Sequence, residues 1–155
     1  MQNLTFGEDG GLTKACQAKH SAEPWLCFMS PHMVRYVKAP FFMFNSRFDA
    51  WQMDNDLQVP CRAGEAKHKP CNSREQSAIV QYGSDFLDAL KPVIESAPKN
   101  GAFITSCICH SCSWSTLTTG VGTLTSYEHY AAWFKDYPSD GSSTSSIHID
   151  SRAPN

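Results

Sequence analysis

A chain of 155 residues, 41% hydrophobic and 18% charged, is long enough for one packed domain and has the composition of an ordinary folded protein. Fifteen acidic against thirteen basic side chains leave a net charge of -2, with no Lys/Arg run longer than two residues, so nucleic acid is excluded as a partner for want of attraction to phosphate. The longest apolar block, residues 39 to 44, is broken by Pro40 and falls far short of the ~20 residues a membrane span requires.

Residues 1 to 24 are polar and Gly-rich without a helical or strand period, which predicts an irregular segment tied down at Cys16. The first fifteen residues lack the charged start and apolar middle of a secretory signal. Seven cysteines are nevertheless dense for a reducing compartment, and Asn3-Leu4-Thr5 is a glycosylation sequon. A chain whose true amino terminus lies further upstream reconciles the two. Ser30 as N-cap and Pro31 at the first helical position predict a short helix over 31–37, with Pro40 soon after it. Residues 41 to 45, Phe-Phe-Met-Phe-Asn, form a continuous apolar run that suits a strand buried on both faces of a parallel sheet.

Residues 54 to 72 are a polar connection with Cys61 and Cys71 at its sides, most simply a surface excursion closed by a disulfide. Ser73 followed by Gln76 predicts a capping box, and Ile79, Gly83, Phe86, Leu87, Leu90 and Ile94 share one face of the helix it starts. Pro92 is expected to kink or end that helix. Asn100-Gly101 turns the chain into a second apolar strand over 102–106. Thr125 with Glu128 caps a last helix over 126–134, and the Ser-rich stretch 139–146 lies in a tail, 138–155, expected to be disordered.

Helix, strand, helix, strand, helix is an α/β order with parallel strands, and two such strands require others beside them. In open α/β sheets functional groups collect beyond the carboxyl ends of the strands. Asp49 follows the first strand by four residues and His110 follows the second by four. Taken alone, Asp49 reads as a turn or helix-capping residue and His110 as a surface histidine. At equivalent positions on successive strands they read as an acid–base pair: the carboxylate holds the imidazole Nδ1–H and leaves Nε2 free to take a proton. Cys107, Cys109, His110 and Cys112 also invite a metal cage, but adjacent Cys109 and His110 cannot both face one tetrahedral ion without strain, so no metal is expected.

Residues 26 to 52, LCFMSPHMVRYVKAPFFMFNSRFDAWQ, resemble the segment of pectin acetylesterases and the related Notum carboxylesterases in which a helix leads into a strand and an Asn-Ser/Ala-x-x-Asp-x-Trp-Gln motif. Residues 100 to 110, NGAFITSCICH, resemble the family's second motif, a strand ending in Ser-Cys-x-x-His, and YAAWF resembles a later helix. The likeness spans residues 16 to 137 and is carried by Asn45, Asp49, Trp51, Gln52, Cys107 and His110.

The resemblance implies the C-terminal part of an α/β-hydrolase-like parallel sheet with flanking helices, with residues 25–137 as that half domain. It implies ester hydrolysis through a serine, with Asp49 as orienting acid, His110 as general base, Trp51 and Gln52 at the substrate, and no cofactor. The ester is an acetyl group on polysaccharide or, in the Notum branch, an acyl group on a protein; Asp49-Ala50-Trp51-Gln52 is closer to the first. Such proteins are secreted to the extracellular space or cell wall and rich in disulfides, for which Cys16, Cys27, Cys61, Cys71, Cys107 and Cys112 are candidates. Cys16 with Cys27 and Cys61 with Cys71 are natural partners, and Cys107 bonded to a neighbour would brace the histidine loop; the connectivity stays open and seven leaves one thiol over.

One element of the family pattern is missing. No Gly-x-Ser-x-Gly elbow precedes Asp49, and Gly141–Ser146 follows the histidine instead. The expectation is a C-terminal fragment whose partner is the rest of the same enzyme, inactive alone. A non-catalytic saccharide-binding module, with Trp51 or the aromatics of the last helix stacked on sugar rings, is the other reading.

Overall fold

The computed structural model describes residues 12–62, 68–95, 99–111, 124–135 and 147–154. It divides into two units, Met1–Pro40 and Phe41–Asn155. In the first, Thr13 caps helix α1 (Lys14–Lys19), its hydroxyl accepting the Cys16 N–H at 3.3 Å. A 3₁₀ turn, Pro24–Phe28, carries Cys27 to Cys16, and the two form a fully buried disulfide. Closing that short loop contributes roughly 3 kcal/mol by chain entropy. Helix α2 (Ser30–Met33) passes into a second 3₁₀ turn, Val34–Tyr36, and the rings of His20 and His32 meet edge to face at 4.9 Å. The segment expected to be irregular thus contains a capped helix, because Thr13 supplies a cap and Cys16 a buried anchor.

The second unit is a parallel three-stranded sheet in the order β1 (Phe42–Asp49), β2 (Gly101–Cys109), β3 (Ile147–Ile149). Phe42 to Ser46 pair with Gly101 to Thr105, and Ala102, Phe103 and Ile104 pair with Ile147, His148 and Ile149. Strand β3 replaces part of the expected disordered tail: its two isoleucines join the core while Asp150, directly after it, is buried. Residues 139–146 lie outside the described residues.

Helix α4 (Ser73–Glu95) connects β1 to β2 and runs on through Pro92 rather than ending there. Its cap lies one residue before the expected one. Asn72 Oδ1 accepts the Glu75 N–H and Glu75 Oε2 accepts the Asn72 N–H, both at 2.9 Å. Leu90 and Ile94 of α4 pack on Ala102 and Ile104, whereas Phe103 meets His129 of α5 (Ser126–Lys135). Successive strand residues point to opposite faces, so α4 and α5 cover opposite sides of the sheet. A methyl on Gly83 would lie 2.5 Å from Phe48 Cε1, so α4 can approach β1 this closely only with glycine there. Burying Phe48, which is 1% exposed, stabilises this contact by about 2–3 kcal/mol.

Among the described residues, no helix is long and apolar enough to cross a membrane.

Candidate active site

Both strands continue past their expected ends, so that Asp49 is the last residue of β1 and His110 the first after β2. The ladder loses register between Ser46 and Phe48. There the Ser46 hydroxyl accepts the Phe48 N–H at 2.9 Å and donates to the Cys107 carbonyl, replacing the interrupted backbone bonds. Beyond this break Phe48 turns into the core under α4, and Asp49 faces the cleft that Phe44 also lines. Pairing resumes with Phe48 opposite Ile108 and continues with Asp49 opposite Cys109, which sets the carboxylate beside the residue that follows.

His110 Nδ1 lies 2.9 Å from Asp49 Oδ2 and 3.1 Å from Oδ1. The carboxylate side chain is 13% exposed and the imidazole 53%, so the pair has a buried acid and an open base. Asp49 has a second task. It is the N-cap of α3 (Ala50–Asn55), its Oδ1 accepting the Gln52 N–H at 2.9 Å. An ionised carboxylate, which only accepts, fits both donors and selects the tautomer with hydrogen on Nδ1; that leaves a lone pair on Nε2 of the half-exposed imidazole. Ser111, next in the chain, takes φ 54, a left-handed turn that costs a non-glycine residue about 1–2 kcal/mol and ends the strand at once.

The motif's other members are distributed around this pair. Trp51 is exposed, with its ring 6.4 Å from that of His110. Gln52 turns its side chain away to Tyr82, whose hydroxyl donates to Oε1 at 2.6 Å. Burial, with the charges of Asp49 and Asp56 nearby, pushes the Tyr82 hydroxyl up to about 12, so it remains a donor at neutral pH. Helix α3 is pinned from the other side by buried Arg62, which bonds Asp54 Oδ1 at 2.9 Å and the Ala50 carbonyl at 3.1 Å. Neither Tyr82 nor Arg62 was singled out from the sequence; each lies far from the motif in the chain or carries no local pattern.

Cysteine pairing corrects one expectation. Cys61 bonds Cys71, closing the 54–72 excursion, as Cys16 bonds Cys27. Cys107, however, is a free thiol and Cys109 is the bonded one. The brace therefore acts one residue before His110 rather than three. Cys112 lies outside the described residues. With Cys109 in a disulfide, its sulfur is not a thiolate ligand for the metal cage that the cysteine spacing invited.

A cleft of about 240 Å³ opens beside the pair, lined among others by Phe44, Asn45, Asp49, Thr105, His110 and Ser111. Residues of β1 and β2 line it together with the imidazole, so a group seated in it lies beside the acid–base pair.

A family model described as pectinacetylesterase matches residues 5–155. Pectin acetylesterase 11 of Arabidopsis thaliana is 32% identical over 114 residues, covering 68% of this chain and 28% of that protein. Pectin acetylesterase 7 of the same plant is 30% identical over 122 residues, covering 70% and 30%. The chain thus spans under a third of the length of these two relatives. No solved structure matches it.

Proposed function

Because the chain belongs to the pectinacetylesterase family, we propose that Asp49 and His110 are the orienting acid and general base of a carboxylic ester hydrolase that acts through a serine, and that the ester is an acetyl group on polysaccharide. The observation that carries this reading is the 2.9 Å contact of His110 Nδ1 with a buried carboxylate, at the carboxyl rim of a parallel sheet, in an imidazole that is half exposed and borders a cleft. Nε2 takes the proton of the serine Oγ as it attacks the ester carbonyl and returns it to the departing sugar hydroxyl; Asp49 holds the ring and stabilises the imidazolium between the two transfers. Trp51, exposed beside the imidazole, offers an apolar face to a sugar ring, while Gln52 acts through Tyr82 in fixing the start of α3.

No Gly-x-Ser-x-Gly sequence occurs among the 155 residues. We place the nucleophile on a part of the family chain outside them, so these residues alone are inactive. Two disulfides and a bonded Cys109 support an oxidising compartment and hence secretion.

The test is acetate release from acetylated pectin by a longer chain that joins these residues to a serine elbow. Asp49→Asn and His110→Ala should each lower kcat about 10⁴-fold. Retention of more than a tenth of the activity by either variant rules the pair out, as does rapid turnover by the 155-residue chain alone.

A further inference from the structure

The two edges of the sheet are unlike. Among the described residues β3 closes one side; it is three residues long, and the ion pair of Asp150 and Arg152 follows it directly. Short length and adjacent charge blunt an edge against further pairing. β1 closes the other side with eight residues, Phe42, Met43 and Phe44 opening it, and β2 is its one neighbour in the sheet among the described residues. A long edge strand that starts so apolar, in a parallel sheet, calls for another strand beside it. Helix α5 repeats the asymmetry on the face of the sheet. On one flank His129 meets Phe103 and His148, so that flank lies toward β3. On the other, Tyr130 meets Phe42 of β1 at 5.6 Å and Phe134 at 6.0 Å between ring centroids. Tyr127, Tyr130 and Phe134 recur at helical spacing, with Tyr127 60% and Phe134 65% exposed. An aromatic surface thus begins at the start of β1 and runs outward along α5 on the side of the open edge.

We infer that the open edge of β1 and the aromatic flank of α5 form one docking surface, and that its occupant is the part of the family chain outside these residues, seated as a strand parallel to β1 with apolar side chains against Tyr127 and Phe134. Length argues for this occupant: the matched residues make up 28% and 30% of two pectin acetylesterases, which leaves more than enough chain for the strands that this sheet lacks. Position argues for it too. The cleft beside His110 is lined on β1 by Phe44, Asn45, Ser46 and Asp49, and a parallel strand about 4.8 Å from β1 ends at that same rim. Only what the docked segment delivers, a nucleophile for His110, rests on the ester-hydrolase reading; the surface itself does not require turnover.

Hydrogen exchange in the 155-residue chain, compared with the longer chain that joins these residues to a serine elbow, tests the surface. In the longer chain the amides of 42–48 and 126–135 should slow at least about tenfold and those of 147–149 should not. Tyr127→Glu and Phe134→Glu should each leave Tm of the 155-residue chain within about 2 °C of the parent, as exposed positions do, and lower it further in the longer chain. Unchanged exchange at β1 and α5, slowing confined to β3, or equal Tm changes in the two chains would each overturn the surface. So would a 155-residue chain that sediments as a dimer with β1 already protected, since the occupant would then be a second copy. Failure of the ester-hydrolase reading has a separate signature: the protection appears and the substitutions act as stated, yet the longer chain releases no acetate.

Discussion

Two aspartates stand at the carboxyl ends of strands in one sheet, and their surroundings differ in a way that separates chemistry from structure. Asp49, ending β1, accepts one backbone N–H and one imidazole, and that imidazole is half exposed with a nitrogen to spare. Asp150, following β3, is 1% exposed and saturated: Ser106 Oγ donates to Oδ2 at 2.9 Å, the Arg152 N–H to Oδ1 at 3.0 Å, and the Arg152 guanidinium to both oxygens. Arg47 of β1 crosses to the Asp150 carbonyl at 3.0 Å, so the cluster ties all three strands together. A carboxylate whose donors are all fixed groups is a rivet. One whose partner can still exchange a proton with solvent is fit for catalysis.

Substitution should expose that difference, and the largest effect belongs to Asp49. In the longer chain Asp49→Asn should cost about 10⁴ in kcat while leaving the urea midpoint close to that of the parent, because asparagine remains an N-cap of comparable strength for α3. Asp150→Asn should do the reverse. Its amide turns a donor toward Ser106 and Arg152, and the loss of a saturated buried acceptor should lower stability by about 2 kcal/mol in urea titration. That figure is held down because Arg152 is half exposed and solvent screens its charge. If Asp150→Asn abolished acetate release in a folded protein, or Asp49→Asn unfolded it, the assignment of the two roles would be reversed.

Acid sharpens the contrast further. Hydrogen bonds from Arg152, supported by its N–H and by Ser106, hold the Asp150 carboxyl well below the usual range. The unfolded chain therefore binds the proton first, and the stability this group contributes is present above pH ~4 and lost as pH falls through its folded value. On the α5 side of the sheet, the rings of His129 and His148 lie 3.5 Å apart between centroids and tilted by 39°, and burial pushes both imidazoles down; His129 lowers His148 further, and Glu128 partly offsets the shift of His129. Their depressed values start the loss earlier, below pH ~6.5. Urea midpoints measured against pH should fall in two stages. His148→Phe should flatten the upper stage and Asp150→Asn the lower; a single stage below pH ~4 would remove the histidine pair from the account.

The fold was legible where local chemistry repeats. Two apolar runs bracketing a long amphipathic helix specify a strand–helix–strand unit, and the helix is found with Ile79, Gly83, Leu90 and Ile94 facing the sheet side as their spacing predicts. Asp49 was legible twice over, since the capping role and the pairing with His110 prove to be one arrangement rather than alternatives. The cap of α4 was off by one because Asn72…Glu75 and Ser73…Gln76 are overlapping matches to one pattern, and only geometry chooses between them. Strand β3 was missed because three residues are too few to display a period, and Asp150 because its partner Ser106 is 44 residues distant. Cysteine connectivity is of the same kind: Cys107 and Cys109 are alike in sequence, and only their placement decides which is bonded.

The smallest expected effect concerns the support behind Asp49. Tyr82 is not among the residues that line the cleft, and its hydroxyl is linked to Asp49 by hydrogen bonds through Gln52, whose side chain it holds and whose N–H the carboxylate accepts. Tyr82→Phe should therefore cost about 1 kcal/mol of stability or less and reduce kcat severalfold with KM unchanged, since orientation of the acid is disturbed but no contact with substrate is lost. Because its folded value is raised to about 12, the stability Tyr82 contributes is complete below pH ~10 and is lost as pH rises through that folded value. The variant should lack this alkaline decline. An unaltered decline in Tyr82→Phe would place its origin in another group, and a rise in KM instead of a fall in kcat would make Tyr82 a substrate contact, extending the site from the strand rim onto α4.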